Sequence, residues 1–457
     1  MSLFNQRYQK IISRPFKSVH FYVLSGISAL TICILIFAFQ KKENQNNQIV
    51  TNWYDYFLVL EKFTEGFRPP VAARTYGILG IIGYETALKN YPDQLSFSGK
   101  YLNLPETEFP QNIHFNVNIA LNAAYAEAGK LLFLNARKDY MLELQKKEEM
   151  LFQEFKTTNP LSDSVSAAYG KQIARKLISW SAQDSIAHIA QFRAYNGEFK
   201  NVAAPGIWNE MSHPPLLPEW GKSQTILPSN NQYESPAPLA YSVDRSSLYS
   251  RQFLEVYSVR RELNQENRWI GEFWSDDLQG LTFSAASRWI SIANQALIDE
   301  NLPLDITLET MLKTGLALYD TGVICWRMKY KYLVLRPSHY INENIDPNWN
   351  PVVDNPHFPA YPSGHSAFGG AAATVLESML GHQFEMYDRS HIGRKEFKGK
   401  PRHFNSFREM ANENAFSRIL MGLHTRMDCD EGLRMGNSIG NEVSQIELKK
   451  QPYLGEL

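Results

Sequence analysis

Apolar residues recur at helical spacing along most of this 457-residue chain. Segment 71–88, VAARTYGILGIIGYETAL, is apolar enough for a mostly buried helix, and segments 53–63, 116–133, 137–155 and 284–297 carry the same periodicity. Runs that alternate Val, Ile or Thr with polar residues are nearly absent, so few strands are expected. The pattern therefore predicts an all-α body built of helical bundles.

An uncharged run near the N-terminus predicts a transmembrane helix. Residues 21–39, FYVLSGISALTICILIFAF, number 19, which is enough to cross a bilayer. Arg7, Lys10, Arg14 and Lys17 precede this run without an acidic residue, so the start is expected to stay cytoplasmic. The body is then expected outside the cytoplasm, in the periplasm or at the cell surface. A cleaved signal peptide is the alternative interpretation.

These features divide the chain into four predicted parts. They are a basic cytoplasmic N-terminus at 1–20, a transmembrane anchor at 21–39, an N-terminal helical region at 40–300 and a C-terminal catalytic helical region at 301–457. The last region carries the motifs on which a functional assignment depends.

Charge and cysteine content exclude several classes of protein. Lys plus Arg number 46 against 47 Asp plus Glu, a net charge of −1, which does not suit a nucleic-acid binder that works through bulk charge. The three cysteines, Cys33, Cys325 and Cys429, are scattered and form no CxxC pair. A disulfide-built scaffold and a zinc ribbon are therefore excluded.

The first motif is a pair of cations seven residues apart. Lys329 and Arg336 stand at the end of a helical pattern, and Pro337 is expected to stop that helix. Seven residues is close to two turns, so both charged groups can point the same way. By itself such a pair is usually a solvated helix face.

The second motif is PSGH, residues 362–365, followed by the small-residue run SAFGGAAA. The prolines before it disfavour a helix, so the segment is expected to pass from a loop into a helix at this point. Ser363, the Gly364 amide and His365 would then lie at a helix N-terminus, which favours anions. An N-cap serine beside an incidental histidine is the alternative.

The third motif is SRILMGLHTRMD, residues 417–428. If this segment is one helix, Arg418 and His424 are six residues apart and Asp428 lies one turn beyond the histidine. Asp428 can then hold one imidazole nitrogen while the other faces a pocket. A surface His–Asp pair would explain the last spacing equally well.

Taken together, the motifs predict an oxyanion site. Three cations and neutral donors would surround a tetrahedral oxyanion, with two histidines beside it. Attack by a histidine nitrogen would make that group five-coordinate, the geometry of a phosphoryl-transfer transition state and of bound vanadate.

The three motifs resemble the superfamily shared by type 2 phosphatidic acid phosphatases, bacterial acid phosphatases and vanadium-dependent haloperoxidases. Its pattern, K-x6-RP, PSGH and SR-x3-G-x-H-x3-D, is matched at every fixed position. The resemblance implies that vanadate, or phosphate in its place, would be held by Lys329, Arg336, Ser363, Gly364, His365 and Arg418. His424 would be the axial vanadium ligand of a haloperoxidase or the phosphorylated nucleophile of a phosphatase.

Within that superfamily the chain looks most like the bacterial haloperoxidases, because it combines one predicted span with a long helical N-terminal half. Trp326 and Phe358 resemble the aromatic residues near the halide site of chloroperoxidases. His357 stands where that pattern has a proline, and Thr425 replaces an aromatic residue. Asp276 is a weaker candidate to pair with Arg418.

Two enzymatic functions follow from the resemblance. In the first, vanadate binds H2O2 and a halide is oxidised to hypohalite, with Lys329 polarising the peroxide. In the alternative, a phosphatase hydrolyses a phosphoester through a phosphohistidine on His424, and His365 protonates the leaving oxygen. A membrane-tethered binding protein with an inert anion site is a third hypothesis. The oligomeric state does not follow from the sequence.

The segment 389–408 is basic, with seven Lys or Arg residues, and is expected to be a flexible insertion between the motif helices. His391 and His403 lie in this segment, and His339 and His382 precede it. All four are expected to face solvent in polar loops.

Overall fold

Helices form almost all of the regular structure in a computed structural model that describes residues 47–193, 199–200, 203–209 and 213–450. The helices of the first part are α1 (Gln48–Phe63), α2 (Pro69–Ala87), α3 (Phe97–Leu102), α4 (Val117–Leu132), α5 (Lys138–Phe155), α6 (Pro160–Ser181) and α7 (Ser185–Phe192). Those that follow are α8 (Leu248–Arg261), α9 (Gln265–Phe273), α10 (Ala285–Asp299), α11 (Leu304–Tyr332), α12 (Pro337–Asn344), α13 (Gly364–Leu380), α14 (Phe407–Leu420) and α15 (Arg426–Ser444). The prediction of a helical body is confirmed.

The remaining regular structure is short. Strands β1 (Met386–Asp388) and β2 (Arg402–Phe404) form an antiparallel pair in which Tyr387 lies opposite His403. Short 3-10 turns lie at Leu88–Asn90, Trp220–Lys222 and Asn230–Gln232. The expected scarcity of strands therefore holds for the part of the chain that the structure describes.

The N-terminal predictions cannot be placed on this fold, since the predicted cytoplasmic segment 1–20 and anchor 21–39 lie outside the described residues. None of the helices within the described ranges is long and apolar enough to cross a membrane. The division of the body into regions 40–300 and 301–457 stays a prediction.

The core is organised by two long helices, α2 and α11, that approach each other through glycines. Every residue of α2 is buried. A Cβ on Gly80 would lie 2.8 Å from the Cα of Leu312, and one on Gly315 would lie 2.6 Å from the carbonyl oxygen of Tyr76. Because the backbones touch at these points, α11 is held rigidly along its length. Its C-terminal turn carries Lys329.

A second close contact, between α13 and α15, brings the PSGH segment against the third motif. Gly432, Gly436 and Gly440 recur every four residues and therefore form one face of α15. A Cβ on these residues would meet the backbone of α13 or of the PSGH segment before it. The spacing of glycines thus allows the two site-bearing helices to pack backbone to backbone.

Replacing Gly436 by Ala is expected to destabilise the protein by about 2 to 3 kcal/mol. A Cβ there would lie 2.1 Å from the carbonyl oxygen of Ala367, so the helices must separate. Urea unfolding measures the loss. Gly271→Ala is the matched control, because its Cβ would find only ordinary contact, 3.4 Å from Cγ of Met421. Equal stabilities of the two variants would contradict the proposed close packing.

Candidate functional site

Lys329 lies at the last turn of α11 with its side chain fully buried. Its Nζ donates to three carbonyl oxygens, those of Pro359 at 2.9 Å, Ala360 at 2.9 Å and Pro362 at 2.6 Å. Burial lowers the pKa of Lys329. The three acceptors favour the ammonium form, because a neutral amine could donate to only two of them. The cation therefore orders the loop that leads into PSGH.

Arg336 reaches the same site from a different element, so the prediction of a single helix stopped by Pro337 is wrong. α11 ends at Tyr332, Leu333 takes a left-handed φ of 50°, and Arg336 is the N-cap of α12. Pro337 starts that helix, a position where its missing N–H costs nothing. The guanidinium donates to the carbonyl oxygens of Phe358 and Leu423, so it is anchored on both sides of the site.

The guanidinium of Arg336 also sets the tautomer of His424. Its Nη1 lies 3.0 Å from Nε2 of His424. A guanidinium can only donate, so Nε2 accepts and its lone pair faces the cations, with the proton on Nδ1. Burial, and then the charges of Arg336 and Lys329, lower the pKa of His424 well below its usual value. The imidazole is therefore a neutral nitrogen base.

His424 lies in a turn between two helices, which corrects the prediction of one continuous helix for the third motif. α14 ends at Leu420, and Gly422 has a φ of 78°, a left-handed conformation that glycine adopts freely. Thr425 is the N-cap of α15 and forms a capping box with Asp428. Oδ2 of Asp428 lies 3.4 Å from Nδ1 of His424, so the predicted His–Asp pairing arises across a helix start.

The PSGH segment passes from loop into helix as predicted. Ser363 is the N-cap of α13, and its Oγ accepts from the backbone N–H and from the hydroxyl of Ser366. Because it accepts both bonds, its own hydroxyl proton stays available to an oxyanion. Gly364 begins the helix, where N–H groups lack intrahelical partners. Ser363 N–H donates to the carbonyl oxygen of Asp428 at 2.8 Å, which joins the second and third motifs.

Arg418 completes the set of cations. Its guanidinium donates to the carbonyl oxygen of Trp274 and to Oγ of Ser417, and its Nη1 lies 3.3 Å from Nε2 of His365. Burial lowers the pKa of Arg418 to about 10. Burial, and then the charge of Arg418, lower the pKa of His365 well below its usual value. His365 is thus neutral at rest, with 14% of its side chain exposed.

Asp276 lies in this site, but its contacts differ from those predicted. Its nearest charged neighbours are Arg288 at 3.6 Å and His365 at 3.8 Å, while Arg418 acts on it as a nearby charge. Neither oxygen of Asp276 has a hydrogen-bond partner among the described residues. Burial raises the pKa of Asp276 to about 6. The carboxyl group therefore lies close to His365 and also interacts electrostatically with both Arg288 and Arg418.

The two aromatic residues predicted beside the site contact each other and the cations. The ring centroids of Trp326 and Phe358 are 5.0 Å apart. Nζ of Lys329 and Cζ of Arg336 each lie 5.0 Å from the Phe358 centroid, within the range of cation–π attraction. Both rings are buried, so one wall of the site is apolar.

A cavity of about 540 Å³ leads to the site. His365, Arg418 and Phe358 line its inner end, and Asp276 lies beside them. His357, the departure from the proline of the chloroperoxidase pattern, also lines the cavity and packs against His213, with ring centroids 4.3 Å apart. His365 is therefore the motif histidine that a small molecule entering this cavity meets first.

Behind the site lies a buried charge cluster that the sequence interpretation missed. Arg288 is fully buried and pairs with Asp388, with its Nη2 3.0 Å from Oδ2. Its Nη1 lies 2.8 Å from Nε2 of His391. The partners are about 100 residues apart in the chain, so no local motif reveals them.

The structure of segment 389–408 differs from its prediction in two respects. His391 was expected in solvent, but it is only 1% exposed because it packs against Arg288. Burial lowers the pKa of His391 to about 3. The segment is held by pairing of β2 with β1 and by an ion pair between Arg402 and Glu413, rather than being an unattached insertion. His382 and His403 are exposed, as predicted, and His339 is half-buried.

The residues present fit a tetrahedral oxyanion. The charges of three buried cations, Arg336, Lys329 and Arg418, all act on His424, and Nη1 of Arg336 lies 3.0 Å from its Nε2. Such cations, with the Ser363 hydroxyl and the N-terminus of α13, suit negative oxygens rather than a metal cation. Among the described residues, no group of three or more His, Cys, Asp or Glu could hold a metal ion. Fold and site therefore describe a helical protein with a candidate oxyanion site beside Nε2 of His424.

Comparison with known proteins shows what the C-terminal part of this chain is similar to. A family model described as the VCPO second helical-bundle domain matches residues 342–450. Vanadium chloroperoxidase of Curvularia inaequalis is 26% identical over 157 residues, which is 24% of this chain and 26% of that protein. Vanadium-dependent bromoperoxidase of Ascophyllum nodosum is 33% identical over 103 residues, 21% of this chain and 18% of that protein. The matched parts thus cover about a quarter or less of these curated relatives.

Solved structures extend the similarity over most of the chain. A structure described as the first bacterial vanadium-dependent iodoperoxidase has a TM-score of 0.77 and 28% identity, covering 88% of this chain and 97% of the other. A holo-type bacterial vanadium-dependent chloroperoxidase has a TM-score of 0.63 at 15% identity, covering 82% and 92%, and this shows the fold alone. Sequence similarity and fold similarity both point to the vanadium haloperoxidase-like family.

Proposed function

We propose that this protein is a vanadate-dependent haloperoxidase that uses H2O2 to oxidise a halide. The observation that carries the proposal is that three buried cations act on the neutral imidazole of His424, with Arg336 3.0 Å from its Nε2. Burying three cations together is costly unless an anion joins them. A neutral imidazole lone pair at their centre is the form that binds a metal.

In this proposal the site residues hold vanadate through their charges and hydrogen bonds. Nε2 of His424 would bind vanadium, and the vanadate oxygens would accept hydrogen bonds from Arg336, Arg418, Ser363 and the Gly364 amide. Lys329 would act through its charge, because its three donors are engaged by carbonyl oxygens. Vanadate, when bound, would supply the Lewis-acidic centre at which H2O2 is activated towards a halide.

Proton transfer would be the task of His365. Its side chain lines the cavity, and its Nε2 lies 3.8 Å from Oδ2 of Asp276. Burial lowers the pKa of His365, so its imidazole is neutral and able to accept a proton near neutral pH, and burial raises the pKa of the neighbouring Asp276 to about 6. His365 would accept a proton from entering peroxide and pass it to the oxygen that departs as water.

We propose iodide as the first halide to test. The iodoperoxidase structure covers nearly the whole chain at an identity above that of the chloroperoxidase structures. Trp326 and Phe358 provide an apolar wall beside the cations, and such a wall favours a large, weakly hydrated anion over chloride.

A titration with orthovanadate tests the function. Protein stripped of phosphate and vanadate is assayed with H2O2 for triiodide formation and for halogenation of monochlorodimedone with bromide and chloride, and in parallel for hydrolysis of p-nitrophenyl phosphate. We expect halide oxidation that appears only with vanadate and saturates at one vanadate per chain. Hydrolysis without vanadate, abolished when vanadate is added, would contradict the proposal in favour of a phosphatase.

A further inference from the structure

A second cavity, of about 270 Å³, adjoins the catalytic cavity. The two share five lining residues: Ser275, Leu278, Val352, Val353 and Met421. Met421 lies between the two cavities. Its sulfur lies 3.5 Å from Nη2 of Arg418, which lines the catalytic cavity. Its Cγ would contact a Cβ on Gly271, which lines the second cavity. A molecule in the second cavity would therefore lie beside the site at which an oxidised halide is released.

The second cavity is apolar on its walls and carries positive charge at one end. Leu263, Phe397 and Leu420 add to the shared apolar residues, and Val352 is 48% exposed at the surface. Arg260 and Arg268 line the cavity together with one carboxylate, that of Glu272, which leaves a net positive charge. Such a lining suits an amphiphilic anion rather than a sugar or a cation.

Arg260 shows the clearest sign of a missing partner. It lies at the C-terminal end of α8, and its Nε is buried without a hydrogen-bond partner among the described residues. A buried donor left unsatisfied is costly, and a carboxylate can satisfy a guanidinium through two parallel bonds. The cavity volume lies just below the usual range for ligand pockets of drug-sized molecules, which suits a single ring.

We infer that this second cavity binds the organic acceptor of the proposed haloperoxidase, a phenol with a carboxylate side chain. The carboxylate would pair with Arg260, and the ring would lie between Val353 and Met421, next to the catalytic cavity. Hypohalous acid from the proposed reaction would attack the ring: the O–X bond breaks, a C–X bond forms, and the displaced ring proton joins hydroxide as water. The inference rests on the proposed function, and it adds that halogenation occurs on a bound acceptor.

Binding is measured first without vanadate, by isothermal titration of the full chain with 3-(4-hydroxyphenyl)propanoate and with its methyl ester. We expect saturable binding of the acid, weakened about tenfold in Arg260→Gln, since a charge-assisted hydrogen bond is lost. The ester should bind weakly to both proteins. Arg251→Gln, an exposed residue on the same helix, is the matched control and should bind the acid like the parent.

A second variant, Val353→Trp, fills the cavity and should abolish binding while the circular dichroism spectrum is retained. The ratio of acid to ester iodination is then measured with vanadate, iodide and H2O2, and again with added hypoiodite alone. We expect the ratio in the enzyme reaction to be about tenfold higher than with hypoiodite. In Arg260→Gln the two ratios should be equal. Absence of saturable binding, or equal affinities of Arg260→Gln and Arg251→Gln, would overturn the acceptor site.

The two proposals can fail separately. Triiodide formation without acceptor binding would retain the haloperoxidase function and reject the acceptor site. Acceptor binding that depends on Arg260, without any halide oxidation, would retain the binding site and reject its role in halogenation.

Discussion

Replacing His424 by Ala is expected to lower vanadate-dependent halide oxidation by far more than 100-fold. Loss of a residue that merely supports a metal ligand typically costs about 10- to 100-fold, and His424 is proposed as the ligand itself. Its Nε2 is the nitrogen that faces the cations, 3.0 Å from Arg336. The rate of triiodide formation and the affinity for vanadate, followed by vanadium-51 NMR, should fall together.

Two variants make that result interpretable. His403→Ala removes an exposed histidine on β2 and should leave both measurements unchanged. Asp428→Asn retains the side-chain volume near Nδ1 of His424 but removes its charge, so a loss of about 10- to 100-fold is expected. Full activity of the His424→Ala protein would show that another residue binds vanadium.

Replacing Arg288 by Met is expected to destabilise the protein by about 3 to 5 kcal/mol, because it leaves buried carboxylates without their cation. Arg288 and Asp388 are fully buried and their charged atoms lie 3.0 Å apart. Burial alone would raise the pKa of Asp388, yet Arg288 and hydrogen bonds from Ser390 and Gln295 bring it below its usual value. This stabilisation is therefore complete at neutral pH and is lost only as the pH falls through the lowered pKa.

The midpoint of urea unfolding at neutral pH measures this loss. Arg389→Met is the matched control, since its ion pair with Asp299 is about one-third exposed on both sides and is worth about 1 kcal/mol or less. Similar losses in both variants would show that the buried cluster contributes no more than a surface pair. Arg288 also lies 3.6 Å from Asp276, so the variant should shift the pH profile of any activity that depends on His365.

The geometry of the site shows which predictions required only local chemistry. The helical periodicity of α2 and the loop-to-helix transition at Ser363 follow from residue types and spacing. Helix formation and capping depend on neighbours within a few residues, and these are present in the sequence itself.

The helix predictions for the first and third motifs are wrong where the backbone turns. Lys329 and Arg336 were assigned to one helix, and so were Arg418 and His424, yet Leu333 and Gly422 adopt left-handed conformations that end each helix. The motif residues still meet, because tertiary packing rather than a shared helix face brings them together. Glycine at position 422 was a usable signal, whereas leucine at 333 was not, since leucine rarely takes that conformation.

The helical class of the protein and the residue types of its candidate anion site follow from the sequence, because both depend on residue type and short-range spacing. Only the tertiary structure decided which charges are buried together, as in Arg288 with Asp388, and which cavities adjoin, as at Met421. These features join residues a hundred or more positions apart, and their energies depend on burial and distance, which arise when the chain is folded.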